Sequence, residues 1–247
     1  PLFLLCLAFD PAGDRTAPFR PEPDRVDLLA LEKSLVSARR QSDDGDQGIG
    51  PVSDRFGADP YRIRYLRQSD RFLILLRAAS AVVLCDRNLE IIDRVDTVHQ
   101  PVAMDLVDND ILLVGGECSN TINRYRIGLD RIDKLPGLDL RPVVSVRDLV
   151  YVSDADGLFL IDAFSRRLIQ ATISEAALRQ PAPRLEIRSF PIGAGPLRLL
   201  SVKDHLIVNL MLEHTLQIIP LRRGAPDFSQ AAKISNDGPF WAVDARA

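Results

Sequence analysis

Cysteine is scarce: Cys6, Cys85 and Cys118 are the three thiols among 247 residues, and no pair has C-x-x-C spacing. That excludes a zinc knuckle and a C-x-x-C-H haem attachment, and leaves buried thiols as the ordinary reading with a Cys85–Cys118 disulfide as the alternative. Long apolar runs are missing as well. The longest, Leu2 to Phe9, has eight residues, against about eighteen for a helix that crosses a bilayer, so no transmembrane segment is expected. Like-charge blocks are absent: 31 basic residues face 34 acidic ones for a net charge of −3. With no basic stripe interleaved with aromatics, nucleic acid is not an expected partner. No G-x-S-x-G, P-loop, G-x-G-x-x-G or H-E-x-x-H motif occurs, so nucleophilic and nucleotide chemistry have no warrant.

What the chain does have is a phrase that returns. A proline followed by a short apolar strand stands at Pro60, Pro101, Pro142, Pro196 and Pro239, at intervals of 41, 41, 54 and 43 residues. A period near forty built of short strands predicts an all-β array, a β-propeller of four four-stranded blades plus the start of a fifth. The repeats span 60–100, 101–141, 142–195, 196–238 and 239–247. Runs such as Phe72-Leu73-Ile74-Leu75-Leu76 are apolar throughout because blades packed face to face bury both sides of their middle strands. In the third blade the expected strands are 143–146, 149–152, 158–162 and 167–171, followed by a proline-containing excursion from Ser174 to Ile192 that explains the 54-residue interval.

Residues 1–59 read as an irregular arm. Its first nine residues are either a signal remnant or a divergent copy of the phrase, Asp10 to Asp24 carries four prolines and reads as a linker, and Val26 to Arg40 has leucines at helical spacing that predict a short amphipathic helix. Four and a part blades leave an open ring, so further blades or a fused domain in a longer parent protein are expected, with closure of a small ring by outer strands from the start of the chain as the alternative.

The stretch from Val150 to Ile173, VYVSDADGLFLIDAFSRRLIQATI, resembles the YVTN-type propeller repeat. Tyr151-Val152-Ser153-Asp154 stands where that family has Tyr-Val-Thr-Asn, and Leu158, Leu160, Ile161 and Asp162 follow like its V-x-V-I-D strand. Gly195-Pro196 resembles its Gly-x-x-Pro junction. The likeness is close over 150–173 and loose over 60–247. It implies a propeller fold and, since bacterial relatives of this type are exported, an extracytoplasmic location.

In a propeller the junctions between blades and the turns between second and third strands share one face, where ligands meet the central channel. This mapping gathers His99, Glu117, Cys118, Asn120, Asp154, Asp156, Glu213 and His214 on that face, with Trp241 on an inner strand where it could stack on a ligand. His205, at the start of a second strand beside Asp204, reads as a partly buried, hydrogen-bonded residue. The leading expectation is a non-catalytic module that presents the loop face to a protein or small-molecule ligand and needs no cofactor. The alternatives are a lactonase or esterase with a divalent metal held by these side chains at the channel mouth, and an accessory propeller of a redox protein.

Overall fold

The computed structural model describes residues 59–238 and 240. The N-terminal arm with its expected linker and helix, the rest of the fifth phrase, Cys6 and Trp241 lie outside the described residues. The all-β propeller expectation holds: four antiparallel sheets follow one another along the chain.

The first blade is β1 (Pro60–Leu66), β2 (Arg71–Leu76), β3 (Ala81–Cys85) and β4 (Ile91–Asp96). The second is β5 (Pro101–Val107), β6 (Ile111–Gly116), β7 (Thr121–Ile127) and β8 (Ile132–Asp139). The third is β9 (Val146–Val152), β10 (Gly157–Asp162), β11 (Arg167–Thr172) and β12 (Glu186–Pro191). The fourth is β13 (Pro196–Val202), β14 (His205–Leu210) and β15 (Thr215–Arg222), with the short β16 (Ala225–Pro226) and β17 (Ala232–Ser235) both pairing with β15. Four strands of a meander return the chain to the face it left, so every first strand points the same way. The junctions and the second-to-third turns therefore share one face, here the junction face, and the first-to-second and third-to-fourth turns share the opposite one.

Apolar residues fill the space between successive blades. One cluster joins Leu73, Leu75, Val82 and Leu84 of blade 1 to Met104, Leu112, Val114 and Tyr125 of blade 2. A second joins blades 2 and 3 through Leu113, Ile122, Val146, Leu158 and Leu160, and a third joins blades 3 and 4 through Phe159, Ile161, Leu206, Val208 and Ile219. In β2 alternate residues go to opposite sides: Leu73 and Leu75 face blade 2, whereas Ile74 joins Val83 and Cys85 in a cluster that, among the described residues, belongs to blade 1 alone. This two-sided burial is why the middle strands read as continuous apolar runs.

The inner strands are stitched by carboxylates. Tyr151 N–H of β9 donates to Asp105 Oδ2 of β5 (2.8 Å), and Leu199 N–H of β13 donates to Asp148 Oδ2 of β9 (2.9 Å). From β1, Arg64 Nη2 reaches Asp105 (2.8 Å) and Arg62 Nη2 reaches Asp148 (2.5 Å). Burial pushes the Asp105 carboxyl above its ordinary range, and Arg64 together with the Tyr151 and Leu106 amides offsets part of that rise.

Blade 3 corrects the sequence reading. The polar pair Arg147-Asp148 was expected as the turn between a strand over 143–146 and another over 149–152; instead both lie inside one strand, β9, because the Asp148 carboxylate is an acceptor between blades. Each later strand of the blade moves one place inward. Residues 158–162 and 167–171 fall in its second and third strands, and the fourth, β12, lies within the expected excursion.

The rest of that excursion folds over the rim. Ser174 Oγ accepts from Ala177 N–H and starts a single helical turn, α1 (Glu175–Leu178). Arg124 of β7, fully buried, then donates to Pro136 O (2.8 Å), Gln180 O (3.0 Å), Pro181 O (3.2 Å) and Leu178 O. Its guanidinium meets the carbonyl end of α1, which suits a cation, although burial lowers its pKa. Arg179 closes the outside by pairing with Asp110 (2.7 Å) and Asp108 (2.8 Å) of the β5–β6 turn.

The two remaining thiols are free, Cys85 buried and Cys118 exposed. Cys85 ends a third strand at the opposite face and Cys118 sits in a second-to-third turn at the junction face, so the disulfide alternative has no geometry to support it. Burial, with Asp86 and Glu90 nearby, pushes the Cys85 thiol up to about 12.

Two outcomes follow from these ties. Arg124→Met leaves several buried carbonyls without a donor and is expected to destabilise the chain by about 2–4 kcal/mol, read as a lowered urea midpoint, with Arg124→Lys intermediate. An unchanged midpoint would show that the excursion is held by other contacts. The raised Asp105 pKa means the folded chain takes up a proton there before the unfolded chain does as pH falls, so this group's contribution to stability is lost as pH rises through the folded-state value. Asp105→Asn, which still accepts from Tyr151 N–H, should therefore gain on the wild type as pH rises above the ordinary carboxylate range in denaturation measured at each pH, and a difference independent of pH contradicts the assignment.

Candidate functional site at the junction face

The sequence-derived site residues divide between two faces. His99 is exposed in the β4–β5 junction. Its backbone lies so close to the end of β6 that a Cβ on Gly116 would stand 2.5 Å from His99 O, which explains the glycine there. Glu117 follows in the β6–β7 turn, where its N–H donates to Gln100 O (3.1 Å) and its carboxylate pairs with Arg147 of β9. In the same turn Asn120 O accepts from Leu140 N–H (2.8 Å), and Asn120 Oδ1 accepts from the Thr121 hydroxyl (3.3 Å).

Glu213 and His214 lie in the β14–β15 turn of the junction face. Glu213 Oε1 accepts from Ala194 N–H (2.6 Å) and Oε2 faces Lys233 Nζ (3.4 Å). The Ala194 amide, then Lys233, holds this carboxyl below its usual range. His214 closes a 3-10 turn over Met211–Glu213 in the left-handed region (φ 51°), and its carbonyl accepts from Asn236 N–H (3.0 Å). The side chains of Glu117 and Glu213, with the backbone carbonyls of Asn120 and His214, brace one loop against the next.

Asp154 and Asp156 go elsewhere. With β9 as the first strand of its blade, their turn joins first to second strand and lies on the opposite face, against the β15–β16 turn, where Gly224 meets Ala155 O. Asp156 adopts φ 43°, its N–H donating to Ser153 O (3.0 Å) and its carbonyl accepting from Ile173 N–H (2.8 Å). His205 is also on that face, its Nδ1 2.7 Å from Asp204 Oδ1. Among the described residues, no group of three or more His, Cys, Asp or Glu side chains is placed to hold one metal ion.

Sequence reasoning passed over the apolar part of the junction face. Val144, Phe164 and Leu212 are 57%, 70% and 67% exposed. Buried Asp162 anchors two of their loops at once, its Oδ2 accepting from Val144 N–H and its Oδ1 from Ser165 N–H, both at 3.2 Å. Leu212 is fixed by a close approach to Gly195, where a Cβ would stand 2.5 Å from Leu212 Cγ and where the positive φ of 67° suits glycine. The available signal was an aromatic or leucine inside an otherwise polar turn, Ala163-Phe164-Ser165 and Leu212-Glu213-His214. A cleft of about 500 Å³ between β8 and the excursion, lined by Pro136, Leu138, Asp139, Pro181, Pro183 and Ile187, brings one titratable side chain, and that one is paired with Arg141.

Among the described residues, no helix is long and apolar enough to cross a membrane. No family model matches the sequence, and no curated protein matches it. Solved structures do. A periplasmic gluconolactonase of Pseudomonas aeruginosa is 13% identical with a TM-score of 0.60 over 73% of this chain and 55% of that one. A putative 6-phosphogluconolactonase of Bacteroides uniformis is 10% identical with a TM-score of 0.62 over 76% and 59%, and nidogen in complex with laminin is 10% identical with a TM-score of 0.54 over 72% and 64%. This chain therefore spans between 55 and 64% of those three proteins, and at such identities the likeness establishes the fold, a β-propeller.

Proposed function

We propose that the chain is a non-catalytic propeller module that binds a partner protein through the junction face of blades 3 and 4, outside the cytoplasm. The observation that carries this reading is the set of exposed apolar side chains Val144, Phe164 and Leu212 on loops fixed by Asp162 and Gly195. Apolar anchors on rigid loops bind with little ordering cost, which is the property of an interaction surface. The polar residues of the same face, Glu117 and Glu213, are occupied in bracing. The exported location is supported by the periplasmic neighbour and by the YVTN likeness.

The same reading takes the array to continue past blade 4. The far side of that blade presents Leu200, Ile207, Leu216 and Ile218 half-buried and Ile234 half-exposed. At its inner end Asn209 Nδ2 donates to Phe240 O (2.6 Å), where the fifth phrase begins.

A second reading, a hydrolase of sugar lactones, draws support from the lactonase names among the structural neighbours. Its candidate groups are His99 with Glu117 and His214 with Glu213, with a divalent metal as the implied cofactor.

Both readings are open to measurement. Phe164→Ser and Leu212→Ser should each weaken capture of a stoichiometric partner from the periplasmic extract of the source cell by tenfold or more. Leu129→Ser, equally exposed at 73% but on the opposite face, should leave capture unchanged, and equal capture by all three variants contradicts the assigned face. Hydrolysis of gluconolactone and 6-phosphogluconolactone, followed by pH-stat with and without added divalent cation, should stay at the uncatalysed rate. A rate above it that is lost in His99→Ala or His214→Ala replaces the module reading with the hydrolase.

A further inference from the structure

The third positions of the four first strands carry Arg62, Ala103, Asp148 and Arg198. Because these strands run in one direction from the junction face, the four residues lie near that mouth of the central channel. Two of the cations there are neutralised. Arg62 pairs with Asp148 at 2.5 Å and donates from Nε to Val102 O (2.9 Å), and Arg77 pairs with Asp59 at 2.7 Å. Asp148 is already engaged: its oxygens accept from Arg62, from Leu149 N–H (2.9 Å) and from Leu199 N–H (2.9 Å).

Arg198, half-buried, has no carboxylate partner among the described residues. What holds it is the ring of Tyr61, whose centroid lies 6.0 Å from the Arg198 guanidinium carbon and 4.9 Å from that of Arg77. A cation over an aromatic face gains about 0.5–2 kcal/mol but no neutralising charge. The Arg198 charge is felt by its neighbour: after burial, and against the opposing pull of Asp148, it helps lower the Arg62 pKa. A partly desolvated guanidinium held in place without a counter-ion offers two parallel N–H donors to an oxyanion.

We propose that Arg198 is the anion-binding side chain of a ligand subsite at the junction-face mouth of the channel, taking the carboxylate or phosphate of a small molecule. Tyr61 positions the fork. The subsite does not depend on protein docking at Phe164 and Leu212, which lie in second-to-third-strand turns.

The test is a titration of the 247-residue chain with inorganic phosphate and, separately, acetate, at ionic strength held constant with sodium chloride, read by thermal unfolding and by calorimetry. The wild type should gain thermal stability in a saturable way with one or both anions, and the stronger of the two identifies the ligand group. Arg198→Gln should lose at least tenfold in affinity while Arg94→Gln, exposed on β4, and Phe164→Ser retain it. Should Arg198→Gln fail to melt cooperatively, Arg198→Lys, which keeps the charge and loses the fork, should bind several-fold more weakly. No response of the wild type beyond the chloride control, or full binding by the Arg198 variants, overturns the proposal.

Discussion

Parallel inner strands around a channel are too far apart to share a backbone ladder, and the Asp105 and Asp148 carboxylates supply what the ladder would. Each accepts a backbone N–H from the next inner strand, so each fixes one blade's height and rotation against its neighbour. Apolar packing between blades is non-directional and would tolerate sliding; a carboxylate aimed at one amide does not. The guanidiniums of Arg62 and Arg64 bring β1 into the same network, Arg64 reaching Asp105 of the neighbouring β5 and Arg62 reaching past blade 2 to Asp148 of β9, and so register the first blade with the second and third.

That network also decides which face a turn lies on. The repeated proline phrase and the apolar runs made the propeller, its two flanking kinds of loop and the strands of blade 1 legible from the residues. Blade 3 was not, because Arg147-Asp148 has the composition of a turn and the environment of a core. Nothing local distinguishes an aspartate that ends a strand from one that joins two strands a blade apart. Reading it as a turn moved Asp154 and Asp156 to the wrong end of the blade, while the outer strand β12, half polar and mostly exposed, passed for loop.

The candidate site shows the same limit in another form. Polar residues in loops were legible as positions on a face, and His99, Glu117, Asn120, Glu213 and His214 do lie on one face. Their partners were not legible, and partners decide role: a glutamate that accepts a neighbouring amide, as Glu213 does from Ala194, is a brace, and its side chain has less to offer a ligand. The residues with unused capacity are Phe164, Leu212 and Arg198. Two are apolar where the local sequence is polar and so depart from their repeat; the third shares its strand position with Arg62 and Asp148, which pair with each other and leave Arg198 without a carboxylate among the described residues.

Departure from the repeat is where function can be written in such a fold. Inter-blade packing asks for an apolar residue of suitable volume at alternating positions, a demand many sequences meet, and this is why structures at 10 to 13% identity superpose on this chain with TM-scores near 0.6. The scaffold then says little about chemistry. The tight turns, many of them with a non-glycine residue at positive φ, such as Gln100, Cys118, Arg166 and His214 on the junction face, hold the loop side chains in one arrangement. A surface that is rigid in backbone and free in side-chain choice can change its ligand without changing its fold, so the few side chains the scaffold does not itself consume carry the functional information.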